Sequence, residues 1–250
     1  MSKFISNLLC TMLWLLPWLV PAQNTSKTND ELMHVIKSKE EIMVDGTASE
    51  AAWTRQSWYQ LNHLWLGEPY DVSDFSGRYK LLWRENALYL LVEITDDVLL
   101  DRFQDPLMQW WDEDCLEIFI DEDNSGGNHQ YNHSAFAYHV DLEGNVVDVN
   151  PHGEGKLYNS HVISKRTTKG KISTWEVKIF VFDDTFTDDS VQVPKKLSAG
   201  KEIGFALAYC DNDNSEHREN FIGSSKHPGF KQDMGWKDAS IFGTILLVED

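Results

Sequence analysis

From about residue 75 to the C-terminal end, apolar positions alternate with polar ones at period two far more than they follow a helical repeat. Residues 75–83 and 87–95 flank Glu85-Asn86 as a hairpin, and the second arm is apolar on both of its faces, as a strand covered from both sides would be. The same reading gives strands at 115–120, 135–141, 145–149, 160–167, 172–182, 203–210 and 241–248. Within 172–182, Trp175, Val177, Ile179 and Val181 repeat on one face. Asp45-Gly46, Glu143-Gly144-Asn145 and Lys169-Gly170-Lys171 are tight-turn signals, and Thr47 to Trp53 reads as a capped helical turn. Many strands with turn punctuation and little helical period predict an all-β fold: an antiparallel two-sheet β-sandwich, jelly-roll-like, with short helical turns.

The ends follow a different pattern. One Lys (Lys3), an apolar run over residues 4–20 and Val20-Pro21-Ala22 read as a secretory signal peptide covering 1–22, which places the mature protein in the periplasm or outside the cell with no membrane insertion after cleavage. Residues 23–40 read as a polar lead-in and 41–250 as one domain, with 183–200 a long surface loop. The net charge of -18 becomes -19 once Lys3 is removed with the leader, because the leader holds no acid. Such a charge repels nucleic acid and anionic membranes, and leaves neutral glycans and divalent cations as partners. Of three cysteines, Cys115 and Cys210 follow the leader; they can be joined or can stay as two buried thiols on adjacent strands, and both readings stay open.

The chemistry concentrates around Trp110-Trp111-Asp112-Glu113-Asp114-Cys115-Leu116-Glu117. Alternation puts Leu116, Ile118 and Ile120 toward an apolar core and Glu117 on the opposite face. Adjacent indoles beside carboxylates suit a polyhydroxylated ligand, whose C–H faces stack on rings and whose hydroxyls need fixed acceptors. Trp83 and Trp175 lie in strands, whereas Trp65, Trp110, Trp111 and Trp236 lie outside the strand periods and are candidates to grip a ligand. Asp121, Asp123 and Ser125, before Gly126, alternate oxygen donors as a calcium loop does, and Asp211 and Asp213 repeat the spacing. His129, His133 and His139 share no ligand spacing. No Gly-x-Ser-x-Gly, His-Glu-x-x-His or phosphate-loop motif is present, and the acids are too many to single out a catalytic pair.

Taken in order, Ile42-Met43-Val44-Asp45-Gly46 with Glu50-Ala51-Ala52-Trp53, Leu88 through Asp96, Trp111 with Asp114 through Asp121, and Ile241 through Leu247 make the chain resemble the family 9 carbohydrate-binding modules over residues 42–248. The resemblance implies a sandwich stabilised by Ca2+ that captures a sugar unit, often at a chain end, between two Trp rings with help from a Glu. The matching positions are Trp111, Glu117 and Trp236. Family members often carry an Arg on the following strand, where this chain has Ala137-Tyr138-His139, so Tyr138 and His139 are expected to supply the polar half, with Asp233 and Trp110 beside them. Arg218 through Ser224 is similar to a segment of free-standing members and has no assigned role. The implied ligand is an oligosaccharide or polysaccharide of xylan-like or glucan type, held at about -8 to -4 kcal/mol, with a glycosidase as possible partner. The alternatives are a glycoside hydrolase acting on the same glycans, or a haem-binding electron-transfer sandwich using His and Met ligands such as Met108 or Met234.

Overall fold

The computed structural model describes residues 32–250; the leader and residues 23–31 of the lead-in lie outside the described residues. Fourteen strands run in order: β1 (Leu32–Lys37), β2 (Tyr59–Leu61), β3 (His63–Gly67), β4 (Phe75–Arg84), β5 (Ala87–Asp96), β6 (Cys115–Asp121), β7 (Phe136–Asp141), β8 (Val146–Val149), β9 (Gly155–Leu157), β10 (Val162–Lys169), β11 (Ile172–Ile179), β12 (Glu202–Asp211), β13 (Asn220–Gly223) and β14 (Gly243–Val248). The helical elements among the described residues are short 3-10 turns at Ala51–Arg55, Phe230–Gln232 and Ala239–Ile241. None is long and apolar enough to cross a membrane.

The ladder runs β10-β11-β5-β4-β1-β14-β12-β6-β7-β8-β9, with β2 added to β4 and β13 lying between β12 and β3. The fold is therefore all-β, but the sheet is mixed rather than purely antiparallel. β1 pairs parallel with β14 along Leu32–Ile36 and parallel with β4 at Ile36 and Lys37, which links two antiparallel halves into one continuous sheet. Leu32–Lys37 thus belongs to the domain and not to a lead-in. Its Val35 is fully buried, which a polar linker would not supply.

One apolar cluster takes Leu81, Leu90, Trp175 and Val177 from one half, and Leu116, Ile118, Tyr138 and Leu207 from the other, so the two halves face each other across it. Burying each such aliphatic side chain contributes roughly 1.5–3 kcal/mol before the entropy cost of ordering it. The two-faced apolarity of β5 has a direct cause: Leu88, Leu90, Val92 and Ile94 enter this core, while Tyr89 and Leu91 pack under Trp53 and Ile42 in a separate cluster. That outer cluster is pinned by buried Glu176, which accepts hydrogen bonds from the Gly46 N–H at 2.8 Å and from the Trp53 indole N–H at 3.2 Å. A third cluster covers the other face of β6, β7 and β12 and includes Phe119, Ala137, Ala208, Phe230 and Trp65. Trp65 is a strand residue rather than a loop indole. It stacks on Phe230 at 3.7 Å between ring centroids and donates to the Ser225 carbonyl at 2.8 Å.

Candidate functional site

On the outer face of β6, register places His139 of β7 and Ala208 of β12 on either side of Glu117. Strand alternation turns Glu117 and His139 away from the main core, and Ala137 and Ala208 leave room between larger neighbours. A cavity of about 250 Å³ opens there, walled by Trp110, Trp111, Val149 and Trp236 and floored by Glu117, Ala137 and His139, with Asp148, Arg218 and Asp233 completing it. This is below the roughly 300–1,000 Å³ typical of drug-sized ligands. A larger hollow of about 660 Å³ lies beside Leu32, between Tyr59, Tyr79 and Phe205, and its described walls contain no Trp and no carboxylate.

Trp111 is 40 % exposed. It stands edge to face with Trp110, the ring centroids 4.7 Å apart at 84°. Trp110 in turn lies against Gly155, where a Cβ would come within 2.4 Å of the indole, so only glycine lets the ring seat there. Trp236 is half-buried on the opposite chain segment, with the Lys237 ammonium 4.4 Å from its ring centroid. Both rings of the expected pair therefore border one cavity.

The polar floor holds a buried acid and a buried imidazole in contact. His139 Nε2 lies 3.1 Å from Glu117 Oε2. Burial pulls the imidazole pKa down, but the neighbouring Glu117 charge and hydrogen bond outweigh it and leave the pKa raised. Asp148 is the reverse case: burial lifts its carboxyl to about 7, against hydrogen bonds from the Ala137 and Val149 N–H groups at 2.9 and 2.7 Å. The β7–β8 register stops at His139↔Val147, and the Asp148 side chain takes the Ala137 N–H beyond it.

Tyr138, expected at the polar half of the site, does not line the cavity. Its neighbour His139 faces the cavity, so alternation sends Tyr138 into the main core, where its hydroxyl meets His161 Nδ1 at 2.8 Å. An arginine reaches the cavity from a loop, not from the following strand. Arg218 leaves the loop after β12, places its guanidinium 4.1 Å over the Phe221 ring, and donates to Cys210 Sγ and Asp233 Oδ1, each at 3.4 Å. Asp233 holds its place in a left-handed backbone conformation at φ 54. Buried Asp112 ties the two loops together, accepting from the Arg218 N–H at 3.1 Å and meeting His217 Nδ1 at 3.0 Å. The backbone next to Trp111 therefore fixes the backbone that carries Arg218.

The acidic residues gather in a different place from most of those expected. Asp96, Asp114 and Asp211 bring carboxylate oxygens within 4.8 Å of one another in a buried group, and Asp74, Asp97 and Asp213 do so at its margin. Burial and mutual repulsion raise Asp114 to about 9 and Asp211 to about 8. Asp211 and Asp213 are thus brought to acidic groups as the spacing suggested. Asp121 and Asp123 instead close their own turn, accepting from the Gly126 and Ser125 N–H groups at 2.8 and 3.0 Å, and with Ser125 they stand apart from both groups.

The model of the family described as "Carbohydrate family 9 binding domain-like" matches residues 44–250, and the chain belongs to that family. Two solved structures are similar to it. One is a family 9 carbohydrate binding module from Caldicellulosiruptor kristjanssonii in complex with cellotriose, 21% identical, with a TM-score of 0.63 over 88% of this chain and 94% of that one. The other is a family 9 module from the same organism in complex with glucose, also 21% identical, with a TM-score of 0.61 over 87% and 96% of the two chains. No curated protein matches.

Proposed function

We propose that this protein is an exported, non-catalytic β-sandwich module that captures one unit of a neutral glucan- or xylan-type chain between Trp111 and Trp236, in support of polysaccharide breakdown by a partner glycosidase. The observation that carries this is the small cavity in which two indoles from distant segments border a buried Glu117–His139 pair. Ring faces cover the apolar C–H surface of a pyranose. Glu117 accepts from its hydroxyls, and Arg218 donates to them. Asp148, near its midpoint at neutral pH, either accepts or donates. The complexes of the related modules with cellotriose and glucose support a glucose-type ligand.

The family resemblance implies Ca2+, and the donor chemistry fits. Asp96, Asp114 and Asp211 offer hard oxygens, converge, and need a countercharge to stay ionised where they are buried. These residues would hold the ion, which would supply structural cross-linking of the β5 end, the loop before β6 and the β12 end.

A glycan array on metal-replete protein, repeated with Trp111→Ala, Trp236→Ala and Glu117→Gln, tests the binding reading. Loss of sugar binding with retained folding in all three is expected, and unchanged binding in both Trp variants would refute it. Release of reducing sugar that vanishes in Glu117→Gln would replace it with a hydrolytic reading. A haem site through Met108 or Met234 has no support in the cavity, whose walls include neither.

A further inference from the structure

We propose that Cys115 and Cys210 are joined by a cross-strand disulfide beneath the sugar cavity, and that forming this bond releases the Arg218 guanidinium from sulfur to the ligand. Cys210 is the direct register partner of Cys115 on adjacent antiparallel strands. Direct partners have Cα atoms about 4.5 or 5.5 Å apart, and disulfides span about 4.4–6.8 Å. Both side chains lie in the cluster on the cavity side of β6 and β12, at 1% and 0% exposure, and each thiol is within hydrogen-bonding reach of the other. Among the described residues there is no third cysteine to compete.

The two sulfurs hold different partners. Cys115 Sγ rests 3.4 Å from the Trp110 carbonyl. Cys210 Sγ accepts from the Arg218 guanidinium at 3.4 Å. Both sulfurs are buried in the folded chain, so the exchange runs as the chain folds, when one cysteine attacks as its thiolate. It displaces one thiolate from a disulfide oxidant, either glutathione disulfide or the disulfide of an exported oxidoreductase. The thiolate of the other cysteine then resolves the mixed disulfide and expels the second. Two electrons pass from the cysteine pair to the oxidant, which leaves as two thiols carrying the two protons. A disulfide sulfur is a poorer acceptor for Arg218 than a cysteine sulfur is, and the guanidinium's other charged neighbours, Asp233 at 3.4 Å and Glu117, both line the cavity.

The second half of the proposal rests on the sugar-binding reading; the bond itself does not. The full chain, reduced and denatured, is refolded in a mixture of reduced and oxidised glutathione, alkylated under denaturing conditions, and digested for peptide mapping by mass spectrometry. A linked Cys115–Cys210 peptide pair, with only Cys10 alkylated, is expected. Alkylation of both Cys115 and Cys210, or linkage of either to glutathione, to Cys10 or to a second chain, would overturn the bond. Cellotriose affinity is then compared for the oxidised protein, the reduced protein and Cys115→Ser. The oxidised form should bind several-fold tighter than the other two, which should match each other. Equal affinities in all three would overturn the release of Arg218. If no form binds cellotriose, the sugar reading fails, while the peptide map still decides the bond.

Discussion

Replacing Trp111 with Ala isolates the ring-stacking contribution, because this indole is the most exposed wall of the cavity. Taking about 250 Å² for the side chain, the 40 % that stays exposed is about 100 Å². A single pyranose covers roughly half of that and gives up a similar area of its own C–H face, so about 100 Å² leaves water on binding, worth about 2.5 kcal/mol at ~25 cal/mol per Å². The truncated residue retains part of the contact. The expected loss is about 1.5–2.5 kcal/mol, which is a roughly ten- to sixtyfold rise in Kd. Isothermal titration with cellotriose and with xylo-oligosaccharides measures it. The stability cost should be small, limited to the edge-to-face contact with Trp110, of about 0.5–1.5 kcal/mol. A folded Trp111→Ala protein with unchanged affinity would refute the stacking argument.

Metal-free protein should lose stability as pH rises. The folded Asp211 and Asp114 pKa values of about 8 and 9 lie above the unfolded carboxylate value, so their contribution is fully present below roughly pH 4 and is lost through pH 8–9. Saturating Ca2+ should reverse this in thermal melts, by about 2.7 kcal/mol at a hundred times its Kd. A melting curve indifferent to both chelator and calcium would count against the site. Gly155→Ala should push Trp110 out of its seat, costing about 1–3 kcal/mol in urea unfolding and weakening cellotriose binding. Asp112→Ala should cost about 1–3 kcal/mol and lower sugar affinity, because the Arg218 N–H and His217 both lose their partner; an unaltered Kd would show that Arg218 is held by other contacts.

Period-two alternation located the long strands to within a few residues, because one face of each meets a dry core, as in residues 172–182 against β11. It failed for β1, whose Leu-Met-His-Val-Ile-Lys follows a polar stretch, and for the short β2, β3, β9 and β13, which are fixed by their neighbours rather than by their own pattern. Glu117 was legible from the aliphatic run opposite it. Applied strictly, the same rule excludes Tyr138, since adjacent strand residues cannot both face one cavity. Asp148 and Arg218 were hidden for another reason. One folds round the end of a ladder and the other arrives from a distant loop, and neither departure leaves a mark at period two. The convergence of Asp96 and Asp114 on Asp211 is equally invisible, because three strand termini meet there.

The parallel placement of β1 between β14 and β4 has a consequence for how the molecule is made. The sheet's seam is zipped by strands drawn from opposite ends of the described chain, so both halves wait with open edges until the last residues arrive. During synthesis those unsatisfied backbone rows are the surface most prone to pair with another copy. Trimming residues 32–37 bares β4 and β14, and trimming 243–248 bares β1 and β12, so either should give aggregation rather than a shorter working module.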